Sequence, residues 1–321
     1  MNMMRTVLII TSAKSRQDID ATERFGYVQN FCDTVESKLH DSRVLFTTYE
    51  DIEVTVEGGK TLVYDARNRL DLSKVSMVHF KNWINDTQTS GMLARYFATR
   101  NVPVFNSEVA HAPARTKISQ MILFADNNLP VPDTYYAAKH RMLERVSDKQ
   151  SLPAGIKVPF ILKANDGAKG NDNYLIRSPD KARSVLEEAS EDREFVMQAF
   201  HPNDGDYRLL FVGFEQPPLV FIRRAAAGSD THLNNTSQGG SGEFVDPTTL
   251  PGEYLHIARR AAELSGREIG GVDILVDNVT NQPFLLEVNQ TPALATGFGV
   301  DEKINRFVEL IESTIDTEEE E

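Results

Sequence analysis

Apolar residues recur along this chain in two rhythms. Short apolar runs, about four to eight residues long, alternate with stretches in which apolar positions return every three or four residues. Residues 4–10 read as a buried strand around the run Val7 to Ile10. Residues 22–39 read as a helix, because Phe25, Val28, Phe31, Cys32, Val35 and Leu39 fall near helical spacing. β-like stretches at 43–48, 60–65 and 75–80 follow, then a helix over 87–100 and a short buried strand from Val102 to Phe105. This alternation predicts an N-terminal α/β layer domain over 1–112 with a mostly parallel sheet, ending near Pro103–Pro113.

The pattern then changes. Residues 114–127 read as a helix that buries Ile118, Met121, Ile122 and Ala125, and Pro130 and Pro132 stop it. Strands fit 134–138, 159–164 and 173–177, with Gly167 and Gly170 in the polar loop between the last two. Ser178 as N-cap and Pro179 at the first helical position open a helix over 179–190. Further strands fit 195–199, 206–213 and 218–224, ahead of a polar, glycine-rich loop from Asn234 to Gly242. A helix lies within Pro247 to Ser265, strands fit 271–277 and 283–289, and a helix over 301–315 carries Ile304, Phe307, Val308, Ile311 and Ile315 on one face. The polar stretch 139–157 receives no assignment, and there is no internal repeat.

Composition narrows the classes. A chain of 321 residues has room for two or three domains, and 40% hydrophobic with 25% charged residues is the balance of a globular protein. No apolar run approaches the roughly 18 residues that span a membrane, and Val7 to Ile10 is too short for a signal peptide. Cys32, the one cysteine, excludes an internal disulfide and a cysteine-rich zinc site and reads as a core thiol. A cytoplasmic location without a membrane partner fits these features. The net charge is −13, but five acids lie in the last six positions, so the body is nearer −8. That balance argues against bulk nucleic-acid binding while allowing a local basic pocket for phosphate. The tail over 316–321 reads as solvated.

Candidate chemistry begins with GGVDILVDNVTNQPFLLEVNQTP, residues 270–292. Two β-rich runs flank the turn-forming residues Asn278–Gln282. A loop symmetric about residue 280 sets Asp273 opposite Glu287 and Gly271 opposite Asn289. Alternation then puts Asp273, Glu287 and Asn289 on one face, with Val272, Ile274, Phe284, Leu286 and Val288 on the other. Like charges directly opposite repel in a bare sheet, and a hard divalent cation with oxygen ligands removes that conflict. An exposed polar face with two incidental acids fits the same spacing. In FILKANDGAKGND, residues 160–172, Lys163 ends an apolar strand ahead of a glycine-containing loop. A buried lysine there needs a partner, and phosphate is a good one; a lysine snorkelling at a strand end is the plain alternative. The loop is no Walker motif, and GGSGE at 239–243 misses a nucleophile elbow by one residue.

Taken in order, Lys117, Lys163 with its glycine loop, EFVMQAF at 194–200, GDYRLLFVG at 205–213, IRR at 222–224, NTSQGG at 235–240, GVDILVD and LLEVNQTP resemble the ATP-grasp superfamily. The series is most similar to its RimK-like group, which includes ribosomal-protein glutamate ligases and relatives of glutathione synthetase. The resemblance covers roughly 100–312, and a Rossmann-like N-terminal domain fits the domain that precedes the grasp fold. It implies α/β plus α+β architecture: a pre-ATP-grasp domain over 1–112, an ATP-grasp N-terminal subdomain with a lid over 113–198, a C-terminal subdomain with the metal site over 199–315, and the acidic tail. It implies that Lys117 and Lys163 hold ATP, that Gly167 to Asn171, including Gly170, form the lid, and that the backbone of Gln198, Ala199 and Phe200 reads adenine. Asp206 takes a place near the ribose. Asp273, Glu287 and Asn289 match ligands of one or two Mg²⁺ ions, with Mn²⁺ as a substitute. Asn235 matches an asparagine beside the metals, and Arg223 or Arg224 a base near the transferred phosphate.

The activity implied joins a carboxylate of an amino acid, peptide or protein to an amine through an acylphosphate, with ADP and phosphate released. Phosphoryl transfer needs cations and positioning more than a side-chain nucleophile, and none is evident. Two departures stand out. The arginine expected two positions before Asn235 is Leu233, with His232 and Arg224 as candidate stand-ins, and the lid carries Ala168 and Lys169. The first clouds the identity of the substrate. Glutamate addition to a protein, joining of small molecules and peptide macrocyclisation remain open, with EVNQTPAL closer to the first two. A non-catalytic ATP-binding protein on the same fold and a kinase are the other readings. His79, Lys81, Asn82 and Trp83 are candidates for the substrate mouth or for plain structural roles. Nothing in the pattern fixes an oligomeric state.

Overall fold

The computed structural model describes residues 4–13, 21–111, 116–147, 152–153, 155–167, 172–224 and 241–316. The N-terminal part runs β1 (Arg5–Thr11), α1 (Ala21–Glu36), β2 (Ser42–Thr48), β3 (Ile52–Glu57), β4 (Lys60–Asp65), β5 (Leu70–Asp71), β6 (Met77–Phe80), α2 (Thr87–Ala98) and β7 (Val104–Phe105). β1, β2, β6 and β7 form a parallel sheet in the order β2-β1-β6-β7. The run Val7 to Ile10 is buried on both faces, as a parallel strand covered by helices must be.

One expectation for this part needs correcting. Residues 60–65 do not join the parallel layer. They pair antiparallel with 52–57, a strand the pattern did not reveal, and with β5 in a separate three-stranded sheet. Ile52, Val54 and Val56 alternate with polar residues, but Val54, Val56 and Leu62 are exposed, so this alternation marks no core-facing side. The first helix also ends at Glu36, short of Leu39.

The middle part comprises α3 (Lys117–Asp126), β8 (Thr134–Tyr135), α4 (Lys139–Ser147), β9 (Phe160–Ala164), β10 (Asn173–Ile176), α5 (Pro179–Glu188) and β11 (Phe195–Ala199). Its sheet is antiparallel, in the order β10-β9-β11-β8. The unassigned stretch after 138 contains α4, whose Met142 and Val146 are spaced one turn apart and reach the core with Ala182 and Leu186 of α5. Ser178 does cap α5, accepting from the Lys181 N–H.

The last part comprises β12 (Asp206–Val212), β13 (Leu219–Arg224), β14 (Ser241–Val245), α6 (Gly252–Ser265), β15 (Ile269–Val276), β16 (Pro283–Asn289) and α7 (Val300–Asp316). The five strands form an antiparallel sheet in the order β14-β13-β12-β15-β16. The end of the expected glycine-rich loop is thus strand β14. One sheet face packs Leu209, Phe211, Val272 and Ile274 onto α6 and α3. The other changes character along the strands. Near one end Leu210, Val212 and Ile269 pack on Phe307, Leu310 and Ile311 of α7, and α7 in turn packs on α1 and β6 through Phe31 and His79. Toward the other end the same face carries Asp206, Arg208, Arg223 and Asp273.

Candidate active site

Strand alternation sets this charged face. Residues 206, 208, 210 and 212 of β12 share one side, and cross-strand register aligns Arg208 with Asp273, which pairs in turn with Glu287. The hairpin register near the acids is the one expected, with Gly271 opposite Asn289. Beyond it a β-bulge between Asp273 and Ile274 shifts the pairing, so that Ile274 faces Leu285. The core-facing residues of β16 are therefore Leu285 and Val288, and Phe284 and Leu286, expected on that side, are only half-buried. A pattern read at strict period two cannot register one extra residue.

The bulge leaves the Val288 peptide to side chains. Its N–H donates to Gln120 Oε1 of α3 at 2.8 Å, and its carbonyl accepts from Arg267 Nη1. Arg267 also binds Glu108 at 2.8 Å, and Glu108 accepts from Trp83 Nε1 at 3.2 Å. Asn106 Nδ2 reaches the Gln290 carbonyl at 3.2 Å. Gln120 of α3 and Arg267, just before β15, thus hold the Val288 peptide between Glu287 and Asn289, Asn106 holds the Gln290 carbonyl, and Glu108 holds Arg267. Burial pushes the Glu108 carboxyl up, against the pull of Arg267. None of these residues stood out in the sequence; a buried-class acid and base far apart in the chain give no local signal. His79 and Trp83 are buried, so two of the residues considered for a substrate mouth belong to the core.

The acids on the face are densely paired. Asp273 accepts from Arg208 Nε and Nη2, both at 2.7 Å, and lies 2.9 Å from Arg223 Nη2. Arg223 donates from Nε and Nη2 to the two Asp206 oxygens at 2.7 Å. Burial alone would raise the Asp273 carboxyl, but Arg208 and Arg223 hold it below the usual range. Asp206 is pushed up to about 6, by burial first and by Asp273. Asp206, expected near a ribose, therefore holds Arg223 with both oxygens. Asn289 donates to Asp273 at 3.3 Å. The Glu287 carboxylate makes no hydrogen bond or ion pair among the described residues.

Lys163 joins this face from the antiparallel sheet. It is buried, and its ammonium is lowered to about 8 by burial and by Lys117, while Glu287 and Asp273 pull it back up. Both lysines and both acids therefore act on one space. Lys117 bonds the Gly167 carbonyl. Its helix starts with Thr116 and Ser119 in a capping box, and Asn165 fixes the start to the end of β9: the Lys117 N–H donates to its carbonyl at 2.9 Å and the Ile118 N–H to its side chain at 3.1 Å. The face α3 buries is Gln120, Met121 and Phe124, with Ile122 exposed, which corrects the expected stripe. The stripe turns because Gln120 must reach Val288. Arg193 binds Asp166 and Asp172, one on each side of the lid segment. In the segment expected to read adenine, Gln198 Nε2 donates to Thr134 at 2.9 Å, the Ala199 N–H donates to the Asp133 carbonyl, and half-buried Phe200 follows. His201 stacks on Phe284 at 3.8 Å and bonds Asp277. Gly170, Leu233 and Asn235 lie outside the described residues, as does the Arg224 side chain.

A family model for the RimK-like ATP-grasp domain matches residues 114–314. The chain belongs to the RimK-like ATP-grasp family. Named relatives include a probable alpha-L-glutamate ligase of Aeromonas salmonicida, 29% identical over 227 residues that cover 67% of this chain and 71% of the relative. One from Syntrophotalea carbinolica is 28% identical, covering 68% and 70%. Among solved structures, the ATP-grasp ligase PsnB in complex with minimal precursor, Mg and ADP aligns with a TM-score of 0.65 at 16% identity, covering 98% of this chain and 99% of PsnB. D-alanine–D-alanine ligase from Bacillus anthracis aligns at 0.64 with 15% identity, covering 98% and 97%. These likenesses establish the mixed α/β ATP-grasp fold. As a RimK-like ATP-grasp protein the chain is an enzyme, a ligase that forms C–N bonds. No helix among the described residues is long and apolar enough to cross a membrane.

The donor set can be weighed against a divalent cation. Among the described residues no group of three or more His, Cys, Asp or Glu side chains is poised around one point. The expected set, Asp273, Glu287 and Asn289, is two carboxylates and an amide, all hard oxygen donors of the kind Mg²⁺ takes. Among the described residues the Glu287 carboxylate has no hydrogen bond or ion pair, and it stands opposite Asp273, whose charge Arg208 and Arg223 balance. Such an ion would have to share Asp273 with Arg208 and Arg223.

Proposed function

We propose that this protein activates a carboxylate of an amino acid, peptide or protein by transfer of the γ-phosphoryl group of ATP, and that an amine then displaces phosphate from the acylphosphate. What supports the reading is that buried Lys163 of one sheet lies within the electrostatic reach of Lys117 and of Glu287 and Asp273 of the other, where Arg208 and Arg223 bind Asp273.

In this reading Lys163, a buried ammonium that needs an anion, and the half-buried Lys117 lie along the ATP phosphates. The backbone from Gln198 to Phe200 takes the adenine edge. Asp273, Glu287 and Asn289 would hold Mg²⁺, which supplies charge neutralisation at the phosphates when bound. Asp206 keeps Arg223 extended toward Asp273, and Arg208 and Arg223 steady negative charge on the transferring group. Arg224 and Asn235 are assigned to the same end of the site by family position. The loop after β9, whose ends Arg193 ties down, excludes water that would hydrolyse the acylphosphate. The three parts of the chain, 1–112, 113–198 and 199–315, supply substrate contacts, phosphate cations and metal ligands respectively. Purified protein with ATP, Mg²⁺ and hydroxylamine tests this. A correct acid gives ADP and a hydroxamate, and AMP with pyrophosphate as products would sink it.

A further inference from the structure

The charged row of the five-stranded sheet does not end at Arg208. Successive cross-strand partners run Glu287, Asp273, Arg208, Phe221 and Phe244. Neighbouring strands lie about 4.8 Å apart, which sets Phe221 roughly 10 Å and Phe244 roughly 14 Å from Asp273. Phe298, in the segment after β16, completes a cluster: its ring centroid is 4.9 Å from that of Phe244, which is 4.7 Å from Phe221. Phe221 is buried, but Phe244 and Phe298 are 39% and 48% exposed. Aromatic rings grouped at the surface, continuous with a charged site, have unfilled apolar area to offer a ligand.

The cluster is held in place. Lys303 Nζ donates to the Ala293 carbonyl at 2.7 Å and the Thr296 carbonyl at 3.0 Å, and sits 5.7 Å from the Phe221 ring centre. Gly299 has φ 66°, and a Cβ on it would lie 2.3 Å from Phe244 Cζ, so only glycine lets this segment rest on the ring. Charge complementarity indicates what the rings accept. Arg208 spends Nε and Nη2 on Asp273, and its Nη1 makes no hydrogen bond among the described residues. A carboxylate beside Arg208 and the acids' cation places the substituent on its neighbouring carbon over Phe221, Phe244 and Phe298.

We propose that these three rings form a side-chain subsite and that the acid activated here carries an aromatic or large apolar side chain next to its carboxylate. The inference rests on the ligase reading for the position of the carboxylate. It selects an acid with an apolar flank, in contrast to one whose side chain is a second carboxylate.

The test compares Gly-Phe, Gly-Ala and Gly-Glu dipeptides by calorimetric titration into the full chain saturated with ADP and Mg²⁺, with hydroxamate formation from ATP measured in parallel. Gly-Phe should bind at least about tenfold tighter than the other two, a difference of about 1.4 kcal/mol. Phe244→Ala and Phe298→Ala, both at exposed rings, should each erase the preference with ADP affinity unchanged, and Phe298→Leu should keep part of it. Absent binding of Gly-Phe, equal or tighter binding of Gly-Glu, or a preference that survives Phe244→Ala would overturn the subsite. The two readings separate cleanly. Hydroxamate from Gly-Glu without preference for Gly-Phe keeps the ligase and removes the subsite, whereas selective Gly-Phe binding with neither ADP nor hydroxamate does the reverse.

Discussion

Arg267→Met leaves the Glu108 carboxylate buried without its cation. Both side chains are almost inaccessible, at 3% and 2% exposure, and their contact at 2.8 Å is direct. Breaking such a pair from one side costs about 3–5 kcal/mol, because the remaining charge keeps its desolvation penalty and loses its partner. A domain stability of about 5–15 kcal/mol makes that loss large. Burial already raises Glu108 above 4.5, and without Arg267 it rises further. A raised folded-state carboxyl favours the protonated form, so the deficit is smallest at low pH and grows as pH rises. Glu108→Gln added to Arg267→Met removes the charge and keeps an oxygen for Trp83 Nε1, and should recover about 2 kcal/mol at pH 8. Denaturant unfolding of the three proteins at pH 5 and pH 8 measures both effects. Because Arg267 also holds the carbonyl between Glu287 and Asn289, the single variant should need severalfold more Mg²⁺ for half-maximal ADP binding. A loss under about 1 kcal/mol, or a double variant less stable than the single one, would refute the reasoning.

Other consequences follow from the same geometry. Lys163→Met should fold, since it removes a buried ammonium and its desolvation cost, and should weaken ATP binding at least about tenfold by removing a charge-assisted contact; equal affinity by titration would count against Lys163 as a phosphate ligand. His79 is lowered to about 3 by burial and by Lys81, so it stays neutral when folded. Its contribution to stability is complete above about pH 6.5 and falls by about 1.4 kcal/mol per pH unit below that. His79→Phe should flatten the acid limb of the stability curve between pH 6 and pH 4, and an unchanged slope would contradict this. Burial pushes the Cys32 thiol up to about 12, so a thiol reagent at pH 8 should modify it only after unfolding.

The pairing of Asp273 with Glu287 is legible in the sequence because hairpin chemistry is local. Turn residues at 278–282 fix the register, and register fixes which side chains share a face. Lys163 was visible for a related reason: a lysine inside an apolar run is a conflict in itself. The bulge at Asp273 was not visible, since one extra residue leaves the composition of the strand unchanged, and it moved Phe284 and Leu286 off the core face. The holding groups of the site, Gln120, Asn165, Glu108 and Arg267, come from segments as much as 159 residues apart and take their meaning only from contact. Asp206 and Arg223 were named from family position, and the structure adds that they bind one another. Of the small sheet over 52–65, the strand at 60–65 is legible, whereas its antiparallel pairing with 52–57 depends on contact and leaves Val54, Val56 and Leu62 exposed.

The central claim is that a carboxylate attacks the γ-phosphate of ATP at the Lys163, Asp273, Glu287 and Asn289 site. An acid labelled with ¹⁸O in its carboxylate, incubated with enzyme, ATP, Mg²⁺ and hydroxylamine, tests it directly. One labelled oxygen should appear in inorganic phosphate, with ADP as the nucleotide product, and Glu287→Ala should abolish the transfer. Label recovered in AMP, or phosphate released unlabelled while hydroxamate forms, would contradict the account.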